Sequence, residues 1–378
     1  MRVATILGTR PEIIRLSRVI PVLERYTEHV LIHTGQNYDY ELNQVFFDDL
    51  QVRKPDYFLQ VAGRSAAETI AAVIARSDEV LGKVQPDAVL ILGDTNSSLA
   101  AISAKRRKIP IFHMEAGNRC FDDRVPEEIN RRIVDHISDI NLPYSNISRE
   151  YLLREGISPD RIIKTGSPMY EVLHYYLSKI RESNVLDRLS VRKGEYFVVS
   201  SHREENVDDP HQLRRFVCLL NRIVEVYGHR VIVSTHPRTK NRMADINATL
   251  RPEVEFLVPF GFFDYVQLQL NARATLSDSG TISEESSILG FPALNLREAH
   301  ERPEAMEEGA VMLTGFDPDR VIEGLKVLED QTDSSLRLAT DYQVPNVSEK
   351  VVRIILSYVD FVNRTVWRKQ TFRTVELI

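Results

Sequence analysis

Apolar residues in this chain fall into two alternating patterns. Short, mostly apolar runs, rich in β-branched residues, occupy positions 3–7, 30–33, 88–92, 109–113 and 140–143. A second series covers 196–200, 231–234, 254–257, 274–276 and 293–296. A run that is apolar at every position, rather than at every second one, predicts a parallel strand buried on both faces. Between the runs, apolar positions recur every three or four residues, as with Ile129, Ile133, Val134 and Ile137 after Pro126, and predict helices. Strand and helix alternating through two series predicts an α/β protein. It would have two doubly wound, Rossmann-like domains facing a central cleft.

The first series ends near Gly166-Ser167-Pro168, and residues 170–180 read as a connecting helix. The expected division is 1–168 for the first domain and 169–347 for the second. A C-terminal segment, 348–378, is helical over 348–362 and returns to the first domain. A length of 378 residues exceeds one comfortable core, in keeping with two domains. Hydrophobic residues make up 43% and charged residues 27%, as in ordinary soluble globular proteins. A net charge of −6 with no basic run excludes nucleic acid as a partner. No apolar run has membrane-spanning length. The apolar N-terminus stops at Gly8-Thr9-Arg10-Pro11 and reads as a first strand rather than a signal peptide. Cys120 and Cys218 give neither zinc spacing nor a disulfide framework, which fits a cytoplasmic protein.

Candidate chemistry falls just after the predicted strands. Ser277-Asp278-Ser279-Gly280-Thr281 follows one and opens a helix with Glu284 and Glu285 in its first turns. Small residues and a helix N-terminus there can hold a diphosphate, with carboxylates in reach of ribose hydroxyls. The alternative is a helix capped by Ser279 or Thr281 with acidic first-turn residues. Gly8-Thr9-Arg10-Pro11-Glu12 places Arg10, and further on Arg15, where guanidinium groups match phosphate oxygens; a capped helix with solvent-facing arginines is the other reading. Asp94, after Gly93, is a helix cap or an acid/base group. His113 and Glu115 stand two apart and would share a strand face, with no third ligand for a metal. Glu127 with Arg131 and Glu128 with Arg132 are spaced for i,i+4 ion pairs, unless one glutamate turns to the cleft. His202 after one strand, and His236 in a similar turn, can bind phosphate or move protons. Phe263 lies in an aromatic cluster that packs a core or stacks on a base. The glycine-rich signatures of nicotinamide and ATP sites are missing, as is a Gly-x-Ser-x-Gly elbow.

These turns, taken in order, resemble the non-hydrolysing UDP-N-acetylglucosamine 2-epimerase family. The residues that carry the resemblance are Gly8-Thr9-Arg10-Pro11-Glu12, Gly93-Asp94-Thr95, Glu115-Ala116-Gly117, Pro126-Glu127-Glu128-Ile129-Asn130-Arg131, Thr165-Gly166-Ser167, His202-Arg203, Asp278-Ser279-Gly280, Glu284-Glu285 and Glu301-Arg302-Pro303-Glu304. The resemblance implies the two-domain fold shared with many glycosyltransferases. It implies anti elimination of UDP to a 2-acetamidoglycal, then re-addition with C2 inverted, and no cofactor or metal. Asp94, Glu115 and Glu128 would be the acid/base groups, with His202 beside the departing diphosphate. Arg10, Arg15, Arg131, His236, Phe263, Ser279, Gly280, Glu285 and Arg302 would bind the UDP-sugar. Residues 34–40 depart from the segment tied to allosteric substrate binding in the UDP-N-acetylglucosamine enzymes. With 113–120, 201–206 and 260–265, they look like a branch acting on 6-deoxy sugars for capsule or O-antigen synthesis. That branch makes UDP-N-acetyl-L-fucosamine from the L-talo isomer, or the L-quinovosamine nucleotide from the L-rhamno isomer. UDP-N-acetylglucosamine remains the alternative substrate, and a glycosyltransferase a distant one. A homodimer is also implied by resemblance.

Overall fold

The computed structural model describes residues 1–36, 46–201, 209–234, 249–297, 302–331 and 338–369. The chain divides into two compact units, Met1–Val172 with Val344–Ile378, and Leu173–Gln343.

The first unit holds a six-stranded sheet. Its strands are β1 (Arg2–Leu7), β2 (Glu28–His33), β3 (Tyr57–Phe58), β4 (Ala88–Leu92), β5 (Ile111–Met114) and β6 (Ile140–Leu142). They lie in the order β3-β2-β1-β4-β5-β6, and each neighbouring pair is parallel. Ala4, Ile6, Ile32, Val89, Ile91 and Ile111 form one core with Val73, Val80 and Leu81 of the helix Ala66–Val84. The helix Val347–Thr365 packs on the helix Val19–Tyr26 of the same unit.

The second unit repeats the plan with β7 (Tyr196–Ser200), β8 (Arg230–Ser234), β9 (Val254–Leu257), β10 (Ala274–Ser277), β11 (Ala293–Asn295) and β12 (Met312–Leu313). Their order is β12-β11-β10-β7-β8-β9, again parallel throughout. Strand β7 shows why its sequence is apolar at every position from Tyr196 to Val199. Phe197 and Val199 enter the core under the helices Pro210–Tyr227 and Pro318–Asp330. Tyr196 and Val198 enter a separate core with Val185 and Leu268.

Counted along the chain within each unit, both strand orders are 3-2-1-4-5-6, the doubly wound arrangement of dinucleotide-binding folds. In each sheet the winding reverses once, between β1 and β4 and between β7 and β10. Helices leave in opposite directions at that point and open a crevice at the carboxyl ends of the strands. The turns after β1 and β4 contain Thr9 and Asp94; those after β7 and β10 contain Ser201 and Ser279.

Strands β3 and β12 were not expected from the apolar runs. Each is two residues long and sits at a sheet edge, too short to carry a pattern. Among the described residues no helix is long and apolar enough to cross a membrane.

Candidate active site

Glu12 organises the switch point of the first sheet. Thr9 caps the helix Arg10–Leu16 and forms a capping box with Glu12. One Glu12 oxygen accepts from the Gly8 and Thr9 amides at 2.6 and 2.7 Å and from the Thr9 hydroxyl at 3.1 Å. The other accepts from the Thr95 hydroxyl at 2.8 Å, in the turn after β4. The glutamate therefore bonds the β1 turn to the β4 turn. Burial pushes its pKa up to about 7, against the pull of these four donors. The helix at Asn96–Ala100 is capped by Thr95 rather than Asp94, which leaves the Asp94 carboxylate for other partners.

Those partners come from the helix Pro126–Ile137. Arg131 Nε and Nη2 lie 2.8 and 2.7 Å from one Asp94 oxygen. Arg131 Nη1 donates to Glu128 at 3.1 Å, so one guanidinium bridges two of the three expected acid/base carboxylates. Asn130 donates to the Asp94 carbonyl at 3.0 Å. Glu128 is fully buried, and also accepts from the Cys120 amide, the Cys120 thiol and Arg132 at 3.1, 3.3 and 2.9 Å. Burial alone would raise its pKa; these donors, the Cys120 amide foremost, outweigh it and hold the carboxyl below its ordinary range. Of the two i,i+4 pairs expected on this helix, Glu128 with Arg132 forms, while Arg131 reaches Asp94 and Glu128.

The third carboxylate sits at the end of β5. Glu115 has φ 65°, in the left-handed region that β-carbon-bearing residues rarely adopt. The strand period therefore stops before it, and the expectation that His113 and Glu115 share a strand face is corrected. His113 meets Gly93 and Asp135, whereas Glu115 meets Asn118 at 3.3 Å and Arg15 at 3.4 Å. Arg15 is not solvent-facing: it is 1% exposed and lies over the Tyr144 ring. The Arg10 guanidinium lies over the Phe46 ring.

In the second unit, the turn from Asp278 to Thr281 leads from β10 into the helix Ile282–Leu289. Thr281 is the N-cap but makes no side-chain capping bond. The Ser279 hydroxyl instead meets the Thr281 hydroxyl at 3.0 Å, and the Ser279 amide donates to Ser277 Oγ at 3.0 Å. Asp278 is buried and accepts from Ser201 at 3.0 Å, joining the turns after β7 and β10. Glu284 and Glu285 are buried rather than solvated, and Glu285 accepts from Gln269 at 2.9 Å. Arg302 lies 3.8 Å from Glu284. Phe263 packs against Tyr176 and Phe262, with Lys179 over its ring. His202 and His236 lie outside the described residues.

The structure thus brings Asp94, Glu128 and Arg131 together, and Glu115 with Arg15. It gathers Ser279, Gly280 and Glu285 at one turn and helix. Sequence reasoning passed over Glu12 as a functional group, although Thr9-x-x-Glu12 announces a capping box. It also passed over Asp135 and Arg119, which sit in buried ion pairs beside the site. Among the described residues no group of three or more His, Cys, Asp or Glu side chains could hold a metal ion.

Comparison with known proteins adds a family. The model of the UDP-N-acetylglucosamine 2-epimerase family matches residues 23–356. A solved UDP-N-acetylglucosamine 2-epimerase from Rickettsia bellii is 52% identical, covers 98% of this chain and 100% of its own, and superposes with a TM-score of 0.91. The Methanocaldococcus jannaschii UDP-GlcNAc 2-epimerase, solved in complex with UDP-GlcNAc and UDP, is 34% identical with a TM-score of 0.88 and covers 94% and 99%. A curated UDP-N-acetylglucosamine 2-epimerase from that organism is 37% identical over 338 residues, 87% of this chain and 92% of the relative. The UDP-2,3-diacetamido-2,3-dideoxy-D-glucuronate 2-epimerase of Pseudomonas aeruginosa is 31% identical over 332 residues, 86% of this chain and 92% of the relative.

Proposed function

The chain belongs to the UDP-N-acetylglucosamine 2-epimerase family, and from that premise we propose that it inverts C2 of a UDP-2-acetamido sugar through Asp94, Glu115 and Glu128. That it is a UDP-sugar 2-epimerase, an isomerase, follows from the family. The assignment of roles is our reading. The observation that carries it is Arg131 bridging Asp94 and Glu128 while Arg15 faces Glu115.

A C2 proton beside an acetamido group is far less acidic than any side chain. It leaves only if a placed base takes it as the C1–O bond to UDP breaks. A carboxylate takes the proton, the C1–C2 double bond of the 2-acetamidoglycal forms, and the electron pair of the broken bond departs with UDP. In the return step a UDP oxygen attacks C1, and a second carboxyl group gives C2 a proton on the opposite face. That second group carries a proton taken from solvent before it acts, and guanidinium pairing orients such carboxyl groups between turnovers. Arg10, Ser279, Gly280 and Arg302 are assigned to the diphosphate, where charge develops as UDP leaves. Glu285 is assigned to the ribose. His202 and His236 complete that set on the motif alone.

The sugar we favour is UDP-2-acetamido-2,6-dideoxy-L-talose, giving UDP-N-acetyl-L-fucosamine for capsule or O-antigen synthesis by a cytoplasmic homodimer. Its support is the likeness of segments 34–40, 113–120, 201–206 and 260–265 to that branch. The names of the Rickettsia and Methanocaldococcus proteins favour a second reading, UDP-N-acetylglucosamine. The L-rhamno isomer is a third candidate, and the Pseudomonas aeruginosa relative is itself named for a different 2-acetamido sugar.

Asp94→Asn, Glu115→Gln and Glu128→Gln are each expected to lower kcat by about 10²–10⁴-fold. The thermal midpoint of each should stay within a few degrees of the parent. Coupled UDP release and calorimetry measure the two. A folded variant with near-parental turnover removes that residue from the set.

A further inference from the structure

His113 is fully buried in β5; its Nε2 hydrogen-bonds an acceptor, and its Nδ1 lies at ion-pair distance from another without an aligned hydrogen bond. Nε2 lies 2.8 Å from the Gly93 carbonyl oxygen, and Nδ1 lies 3.0 Å from an Asp135 carboxylate oxygen. A carbonyl and a carboxylate only accept, so each ring nitrogen must carry a proton to avoid setting a lone pair against oxygen. Only the imidazolium meets both demands. Burial opposes that charge, but Asp135 and then the Gly93 carbonyl outweigh it, and the pKa rises above the usual histidine value. Asp135 answers in kind: its burial is outweighed by His113 and Arg119, and its carboxyl falls below the ordinary range.

The pair is tied to backbone at both ends. Gly93, with φ 72°, is the residue before Asp94. On the other side, the Asp135 carboxylate accepts from the Gly117 amide at 3.3 and 3.2 Å, two residues beyond Glu115. Gly117 itself has φ 84°, and a β-carbon there would meet the Ser148 carbonyl at 2.4 Å. Arg119 completes the group, donating to Asp135 at 2.7 Å and to Glu155 at 2.7 and 2.6 Å. One buried ion pair therefore holds the turn after β4 and the turn after β5, the two that present Asp94 and Glu115.

We propose that His113 is a positioning residue, an imidazolium strut that with Asp135 fixes the Asp94 turn against the Glu115 turn. The catalytic half of this proposal rests on the proton-transfer roles given above; the protonation half does not. A neutral side chain in this place satisfies one turn at most. Glutamine can reach the Gly93 carbonyl, and asparagine the Asp135 side, but neither bridges with charge. A shift of about 1 Å between reacting groups costs about a hundredfold in rate.

The test begins with the unaltered protein, labelled with [¹⁵N]histidine. The His113 ring, identified by its loss in His113→Gln, is expected to show two protonated nitrogens at about pH 7, where an ordinary histidine is mostly neutral. In Asp135→Asn the same signal should move to the neutral form. His113→Gln and His113→Asn are expected to lower kcat about a hundredfold with KM for the nucleotide sugar changed less than about twofold, since the diphosphate contacts are elsewhere. A ring with one protonated nitrogen at about pH 7 overturns the strut whatever the activity. Near-parental kcat in folded His113→Gln overturns the positioning role. If the protein epimerises nothing, the spectrum is still readable, so failure of the strut and failure of the functional reading are told apart.

Discussion

Glu12 shows how much one buried carboxyl can control. It bonds two turns, and its pKa rises from 4.5 to about 7 because burial outweighs its donors. The folded state thus binds this proton more tightly than the unfolded chain does. The resulting stability is fully present below the unfolded value near 4.5 and is lost as pH rises through about 7, about 3 kcal/mol in all. Glu12→Gln stays neutral, offers its oxygen to the Gly8 and Thr9 amides, and can donate to the Thr95 hydroxyl. Urea midpoints of the parent should fall between about pH 5 and about pH 7 relative to this variant. Equal pH slopes for the two proteins would contradict the shift. At this scale position after a strand or at a helix start offered Asp94, Glu115 and Glu128 as candidates, and the family resemblance gave them acid/base roles. Spacing in the sequence paired Glu128 with Arg132, which forms, but not Asp94 with Arg131 or Glu115 with Arg15. Arg131 and Asp94 are separated by 37 residues, and only the packing of the helix Pro126–Ile137 against the Asn96–Ala100 turn that follows Asp94 brings them to 2.7 Å.

Among the elements, the longer strands were legible, the edge strand β9 included, and the two-residue ones were not. β4, β7 and β9 match the expected runs residue for residue, and β4 is apolar throughout because it is buried on both faces. β3 and β12 were illegible, since two residues show no period. The turns were legible as glycines and small residues, but not their crowding. A β-carbon on Gly8 would stand 2.1 Å from both Ser97 Oγ and Thr34 Oγ1, which are hydrogen-bonded to each other at 2.6 Å. Gly8→Ala is therefore expected to cost about 1–3 kcal/mol of stability and to displace the Thr9–Glu12–Thr95 bonds, lowering kcat as well. Denaturant unfolding with parallel kinetics checks both. An alanine variant with parental stability would show that the turn yields where its neighbours indicate it cannot.

For the whole molecule, the same strand order appears twice in one chain, and each sheet presents different chemistry at its reversal point. The first offers carboxylates held by arginines; the second offers a helix N-terminus, serines and buried glutamates. Acid/base groups and an anion-holding turn are the two kinds of chemistry that the proposed reaction calls on. The central claim, proton exchange at C2 with inversion, is tested most directly by proton NMR in D2O. UDP-N-acetylglucosamine and UDP-2-acetamido-2,6-dideoxy-L-talose are incubated with the protein in separate tubes. The account predicts a C2-inverted product carrying deuterium at C2, with turnover in the talose tube. Turnover in the N-acetylglucosamine tube alone keeps the mechanism and replaces the sugar. An inverted product that retains the original C2 proton, or no exchange with these sugars or the L-rhamno isomer, would contradict the account.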